Sequence, residues 1–190
     1  MSDLHLKLEK IGKEEVGVIF RERMVYDFPK DELKPLAMMH KAMDEGYYEC
    51  FALKENDKTV GYTYLIRNEK DYLIDYIATY PEVRNAGFGG ELIRLLGEYL
   101  SEAESIIGEI ENPDFAENAE ECQLQKRRQG FYLRNGFRET GVLATCFGVH
   151  FRIIEMGEGL VHTEDEIKRL YRLHYKRILP EEMYRRNILV

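Results

Sequence analysis

The chain has 190 residues, of which 44% are hydrophobic and 12% aromatic, and its 27 basic and 35 acidic side chains give a net charge of −8. This composition excludes a disordered chain, and the acidic balance argues against nucleic acid, since the domains that bind it are usually basic. No apolar run approaches the ~20 residues that span a bilayer, residues 1–5 lack a signal-peptide pattern, and three scattered cysteines give no disulfide framework. We therefore expect a cytoplasmic globular protein without a membrane partner.

Strand-like and helix-like segments alternate through the first hundred residues. Alternation predicts a strand at 4–8, and apolar spacing predicts helices at about 14–24 and 31–45. Runs rich in β-branched and aromatic residues predict strands at 48–54, 59–67 and 72–79, the first two joined at Asn56-Asp57 into a hairpin. A wide apolar stripe then predicts a helix at 89–100.

The second half continues this mixture. Strands are predicted at 105–111, 137–147 and 149–156, and a helix at 119–134 begins behind Asn118 and Glu121. Thr163 and Glu166 form a second capping pattern for a helix that ends near residue 179. The order predicts a mixed α+β fold whose central mixed, mostly antiparallel sheet is flanked by helices. We assign 1–156 to one domain and 157–190 to a C-terminal helical extension packed on it.

The most informative segment is YPEVRNAGFGGEL, residues 80–92. A strand ends, a proline follows, and a glycine-rich turn opens into an amphipathic helix, whose free N–H groups suit a pyrophosphate. The segment is not a P-loop, because Gly90 and Glu91 stand where Lys and Ser/Thr are needed. Nor is it the dinucleotide fingerprint, because Leu92 replaces the third glycine. The glycines alone leave open a turn without a ligand.

Two motifs resemble the GNAT superfamily of acyl-CoA N-acyltransferases. Residues 84–90 (RNAGFGG) match the signature Arg/Gln-x-x-Gly-x-Gly/Ala, and residues 131–137 (FYLRNGF) match Phe/Leu-Tyr-x-x-x-Gly-Phe. The resemblance covers about 4–156 and implies a GNAT-like fold with acetyl-CoA as co-substrate. It implies that the backbone at the end of the strand 72–79 pairs with the pantetheine arm and that the turn holds the pyrophosphate, while Gln125 replaces a family asparagine. The implied cofactor residues are Ile77, Ala78, Thr79, Arg84, Asn85, Ala86, Gly87, Phe88, Gly89, Gly90 and Gln125.

The resemblance also implies catalytic residues. Tyr132 would protonate the departing thiolate, as a phenol with an ordinary pKa of about 10 can do. Glu109 stands where some relatives carry the general base. Glu109 and Glu111 share one strand face, and close carboxylates can raise one pKa toward neutrality. Glu111 would help bind a cationic amine, and Asp75 is the alternative base. The alternative without catalysis is that Glu109 and Glu111 simply lie on a solvated face of the strand.

The predicted function is an N-acetyltransferase that moves an acetyl group from acetyl-CoA to an amine of a small-molecule or peptide acceptor, by direct transfer in a ternary complex. The acidic surface favours a cationic acceptor. The alternatives are a catalytically silent CoA-binding regulatory or interaction module, and an enzyme for longer acyl groups or non-amine acceptors. The histidines lack metal-binding spacing, so we expect no metal. The tail would pack on its own domain, cover the acceptor side or form a homodimer contact.

Overall fold

The structure is a computed structural model that describes residues 5–30, 32–157 and 162–190. The described residues fall into two compact units, one within Met1–Arg67 and Ile74–Ser101 and one within Asn68–Leu73 and Glu102–Val190. In the part of the chain that is described, no helix is both long enough and apolar enough to span a membrane. The two units are taken in turn.

The first unit contains strands in the order β1-β2-β3-β4, with β4 included from Ile74 onward. The pairs β1–β2 and β2–β3 are antiparallel. Asn56 and Asp57 both have positive φ, 47° and 66°, and close the predicted hairpin between the second and third strands. Leu4, the start of the first predicted strand, lies outside the described residues. The strands are β1 (Leu6–Lys10), β2 (Tyr48–Glu55), β3 (Lys58–Asn68) and β4 (Asp71–Thr79).

The helices of the first unit correct two predictions. The predicted helix at 14–24 is divided, because a π-helical turn at Phe20–Met24 separates two α-helical pieces. The predicted helix at 31–45 begins only at Leu36, because Pro35 lacks an N–H and disfavours a helical residue before it; Asp31 lies outside the described residues. The helices are α1 (Lys13–Ile19), α2 (Val25–Asp27), α3 (Leu36–Asp44) and α4 (Phe88–Tyr99), with a 3₁₀ turn at Pro81–Val83.

The second unit contains antiparallel strands in the order β5-β7-β6-β8. The predicted segments 105–111, 119–134 and 149–156 are confirmed to the residue, whereas the last helix and strand were not predicted. The strands are β5 (Ser105–Glu111), β6 (Phe137–Cys146), β7 (Val149–Met156) and β8 (Ile188–Leu189). The helices are α5 (Ala119–Arg134), α6 (Glu164–Ile178) and α7 (Glu181–Asn187), with a 3₁₀ turn at Pro113–Phe115.

Helix α6 contributes one whole face to the core of the second unit. Its N-terminus carries the predicted capping box between Thr163 and Glu166. The apolar stripe of this helix is buried, and its members are Ile167, Leu170, Tyr171, His174, Tyr175 and Ile178. The tail therefore packs within this unit, while the assignment of 1–156 and 157–190 to a domain and its extension stays a prediction.

Candidate active site

The turn before α4 presents backbone N–H donors in the first unit. Asn85 and Gly87 adopt positive φ values of 65° and 86°, and Gly87 is the N-cap residue of α4. The N–H groups of its first turn have no acceptor inside the helix, and among the described residues no side chain caps them. These donors, together with the positive end of the helix dipole, make a local environment that suits a phosphate group.

The first turn of α4 is anchored by packing. Phe88 is buried in a cluster with Leu53, Val60 and Leu92, against which Ile77 also packs. A Cβ atom at Gly61 of β3 would lie 2.9 Å from the carbonyl oxygen of Ala78, so this glycine allows β3 to approach the end of β4 closely. The turn and the end of β4 are thus held by the same core.

Arg84 has a partner that the sequence did not reveal. Its Nη2 lies 3.5 Å from Oδ1 of Asp27, and the Tyr62 hydroxyl donates to Oδ2 of the same carboxylate at 2.7 Å. Asp27 ends α2, directly after the π-helical turn, and is 57 residues from Arg84. No local pattern could have connected the two.

Asp75, the alternative base, is enclosed in the first unit. Its side chain is 1% exposed, and its oxygens accept hydrogen bonds from Lys34 Nζ at 2.6 Å and from the Tyr48 hydroxyl at 2.6 Å. Burial, with the charge of Asp75 next, raises the pKa of Tyr48 well above its ordinary value. The near-complete burial of Asp75 and its ion pair with Lys34 favour a structural role over proton transfer.

The side-chain oxygen of Gln125 is a buried hydrogen-bond acceptor in the second unit. The residue is 8% exposed on α5, and its amide nitrogen donates to Glu121 at 3.1 Å. Its Oε1 is buried without a hydrogen-bond partner among the described residues. Buried acceptors are normally satisfied, so this oxygen fits a contact with an N–H group of a ligand.

Tyr132 lies near the end of α5 between the rings of Phe131 and Phe137, each with its centroid 5.3 Å away. Burial raises its pKa to about 12; the positive charge of Arg128 opposes this rise and Glu111 adds to it. Within the described residues its hydroxyl makes no hydrogen bond. The phenol is therefore protonated at neutral pH, with a proton available to a ligand.

The two carboxylates of β5 are both half-buried, but each has its own partners. Glu109 accepts hydrogen bonds from the hydroxyls of Tyr171 and Tyr175 on α6, the second at 2.8 Å. Glu111 pairs with Arg128 on α5. The two carboxylates are therefore not an unpartnered pair that repel each other. Arg128 forms an ion pair with Glu111.

The loop after β5 is fastened to β7. Arg152 donates to Asn112 at 2.9 Å and to Asp114 at 2.8 Å, and Phe115 stacks on His150 with ring centroids 3.8 Å apart.

In the described part of the chain no group of three or more His, Cys, Asp or Glu side chains could hold a metal ion.

Comparison with known proteins identifies the family. Residues 46–139 match the family model of the acetyltransferase (GNAT) domain. A GNAT-family protein from Bacteroides thetaiotaomicron superposes with a TM-score of 0.71 at 22% identity, covering 90% of this chain and 98% of its own. The ribosomal-protein-S18-alanine N-acetyltransferase of Escherichia coli gives 0.57 at 17% identity, covering 82% and 98%.

A third solved structure contains the cofactor. A Bacillus subtilis acetyltransferase in complex with CoA gives a TM-score of 0.56 at 16% identity, covering 82% of this chain and 99% of its own. At these identities the structures show a shared fold. No curated protein matches the sequence.

The fold and the matched domain define an acyl-CoA N-acetyltransferase. Residues 46–139 of the chain form a GNAT acetyltransferase domain. The predicted family, the GNAT-like fold and the class of enzyme are thereby confirmed, whereas the individual site residues stay predictions.

Proposed function

We propose that this protein transfers the acetyl group of acetyl-CoA to an amine of a small molecule or peptide, directly, in a ternary complex. The uncapped N-terminus of α4 carries the proposal, because its backbone donors suit the pyrophosphate. Residues 84–90 would hold that group, the backbone of 77–79 would pair with the pantetheine arm, and Gln125 would offer its unpartnered oxygen to an N–H. Bound acetyl-CoA supplies the activated thioester.

Tyr132 is the proposed general acid. Its pKa of about 12 keeps the hydroxyl protonated, and a CoA thiolate is a stronger acceptor than water. Ionisation of Tyr132 therefore produces no loss of activity below about pH 11. A basic limb in the pH profile at lower pH would have to come from another group.

Glu109 is the proposed general base. Half-buried on β5, it is an ionisable oxygen acceptor in the same unit as Tyr132. It would take the proton that the amine loses as it attacks the thioester. The net charge of −8 supports a cationic acceptor, although the pairing of Glu111 with Arg128 leaves less of its charge for that amine.

The test is the Tyr132→Phe variant in a thiol-release assay with acetyl-CoA. The amines are a diamine, an aminoglycoside and a peptide with a free N-terminus, and the control is Tyr26→Phe, whose side chain is exposed. We expect Tyr132→Phe to lower kcat by about 10²- to 10⁴-fold while the Kd for acetyl-CoA changes less than about twofold.

Unchanged turnover in Tyr132→Phe would overturn the assignment of the acid. Acetyl-CoA binding without thiol release by the unmodified protein, for every amine, would favour the silent CoA-binding module. Repeating the assay with longer acyl-CoA thioesters tests whether acetyl is the preferred group.

A further inference from the structure

Two tyrosines of α6 converge on one carboxylate of β5. Tyr171 and Tyr175 are four residues apart and so lie on the same face of the helix, with ring centroids 4.9 Å apart. Both rings are buried in the core of the second unit. The Tyr171 hydroxyl donates to Oε1 of Glu109, and the Tyr175 hydroxyl donates to Oε2 at 2.8 Å. Each carboxylate oxygen therefore has its own phenol donor.

This arrangement restrains the carboxylate at both oxygens. A free glutamate side chain samples many rotamers, whereas a carboxylate held at both oxygens keeps one orientation. Proton transfer depends on such fixed geometry.

We propose that Tyr171 and Tyr175 are positioning residues that hold Glu109 in the orientation needed to accept the proton of the acceptor amine. The inference rests on the proposed function, in which Glu109 is the base. It makes α6 part of the catalytic apparatus, although the helix lies in the tail beyond both family motifs.

The Tyr171 phenol remains a donor throughout the pH range of an assay. Burial, with the charge of Glu109 next, raises the pKa of Tyr171 well above its ordinary value, and Cys146 of β6 adds to the rise. The other acidic group on this face of β5, Glu111, is paired with Arg128 of α5. Removal of one hydroxyl leaves the ionised carboxylate less stabilised, which favours its protonated form.

The experiment compares Tyr171→Phe, Tyr175→Phe and Glu109→Gln with Tyr184→Phe, a control on α7 whose ring contacts Lys176 and not Glu109. Each variant is assayed for kcat, for the KM of acetyl-CoA and for the pH profile of kcat, with melting temperature as the measure of folding. We expect each α6 variant to lower kcat about tenfold at unchanged KM and to move the acidic limb about one pH unit upward. Tyr184→Phe should change neither.

A double variant separates positioning from packing. If the tyrosines act through Glu109, adding Tyr171→Phe to Glu109→Gln causes no further loss of kcat. If Tyr171→Phe fails to fold, Tyr175→Phe carries the same test at the other oxygen.

Two results would overturn the proposal in distinguishable ways. Lower melting temperatures with unchanged kcat and pH profile in both α6 variants, while Glu109→Gln is impaired, would show that the tyrosines only pack and would leave the proposed function standing. Full activity of Glu109→Gln would remove the base itself and the positioning role with it.

Discussion

The turn at 84–90 and the β5 carboxylate Glu109 are two polar regions that differ in the groups that form them. The turn offers backbone N–H groups that belong to consecutive residues, fixed by glycine conformation and by the buried ring of Phe88. Glu109 depends on side chains from α6, more than 60 residues further along the chain. The first arrangement is local in sequence and the second exists only in the folded second unit.

This difference determines how each region responds to substitution. A backbone donor survives most side-chain changes, so the turn should tolerate replacements that keep the N–H and the φ values. A side-chain cluster loses its function with a single hydroxyl or carboxylate. The following predictions test this distinction, beginning with the largest expected effect.

Asp75→Ala tests whether the buried carboxylate of the first unit is structural, unlike Glu109. The substitution removes the carboxylate that pairs with Lys34, whose side chain is 10% exposed, and we expect the free energy of unfolding to fall by about 3–5 kcal/mol. Urea unfolding measures this, with Asp44→Ala as control, because the exposed pair of Asp44 with Lys13 is worth less than about 1 kcal/mol. Loss of turnover per folded molecule would instead make Asp75 catalytic.

Substitution of Gly89 tests the role of the backbone in the turn. Gly89→Pro removes one N–H from the first turn of α4 and also disfavours the helical conformation of Phe88 before it, and it should weaken acetyl-CoA binding about 10- to 100-fold. Gly89→Ala keeps the N–H, and the family signature accepts alanine there, so it is the matched control. Calorimetric titration with acetyl-CoA measures both, and equal affinities for the two variants would show that this N–H does not bind the cofactor.

His174 makes the second unit sensitive to acid. Burial, with a smaller contribution from Arg177, lowers its pKa to about 4 from an ordinary 6.5. Between these values the unfolded chain binds the proton and the folded chain does not, so stability falls as the pH falls. From pH 7 to pH 5 the loss from this group is about 2 kcal/mol.

Urea unfolding at the two pH values checks this expectation. Between pH 7 and pH 5 the free energy of unfolding of His174→Leu should fall by about 2 kcal/mol less than that of the unmodified protein. His5→Gln, at an exposed position, should lose as much as the unmodified protein. An unchanged pH dependence in His174→Leu would contradict the assignment.

Most of the fold could be predicted because its signals are local. The stripe in α6, the caps at Asn118 and Thr163 and the hairpin turn at Asn56-Asp57 each lie within a few residues. The π-helical turn at Phe20–Met24 has no such signal, since its spacing resembles that of an α-helix. The late start of α3 was predictable from Pro35.

The candidate site could be predicted only where it follows a motif. The turn at 84–90 and Tyr132 belong to two short motifs. The partners of Arg84 and Glu109, namely Asp27 and the tyrosines of α6, are brought to them by tertiary packing. Tyr171 and Tyr175 belong to the apolar stripe of α6, and nothing in such a stripe indicates that two of its hydroxyls meet a carboxylate.

The central claim is that the first unit binds acetyl-CoA, and the most direct test is the melting temperature of the unmodified protein with and without acetyl-CoA. At about 100 times its Kd a ligand adds about 2.7 kcal/mol of stability, so we predict a clear rise that Gly89→Ala retains and Gly89→Pro reduces. No rise at millimolar acetyl-CoA would mean that residues 84–90 form only a turn, and it would contradict the proposed activity.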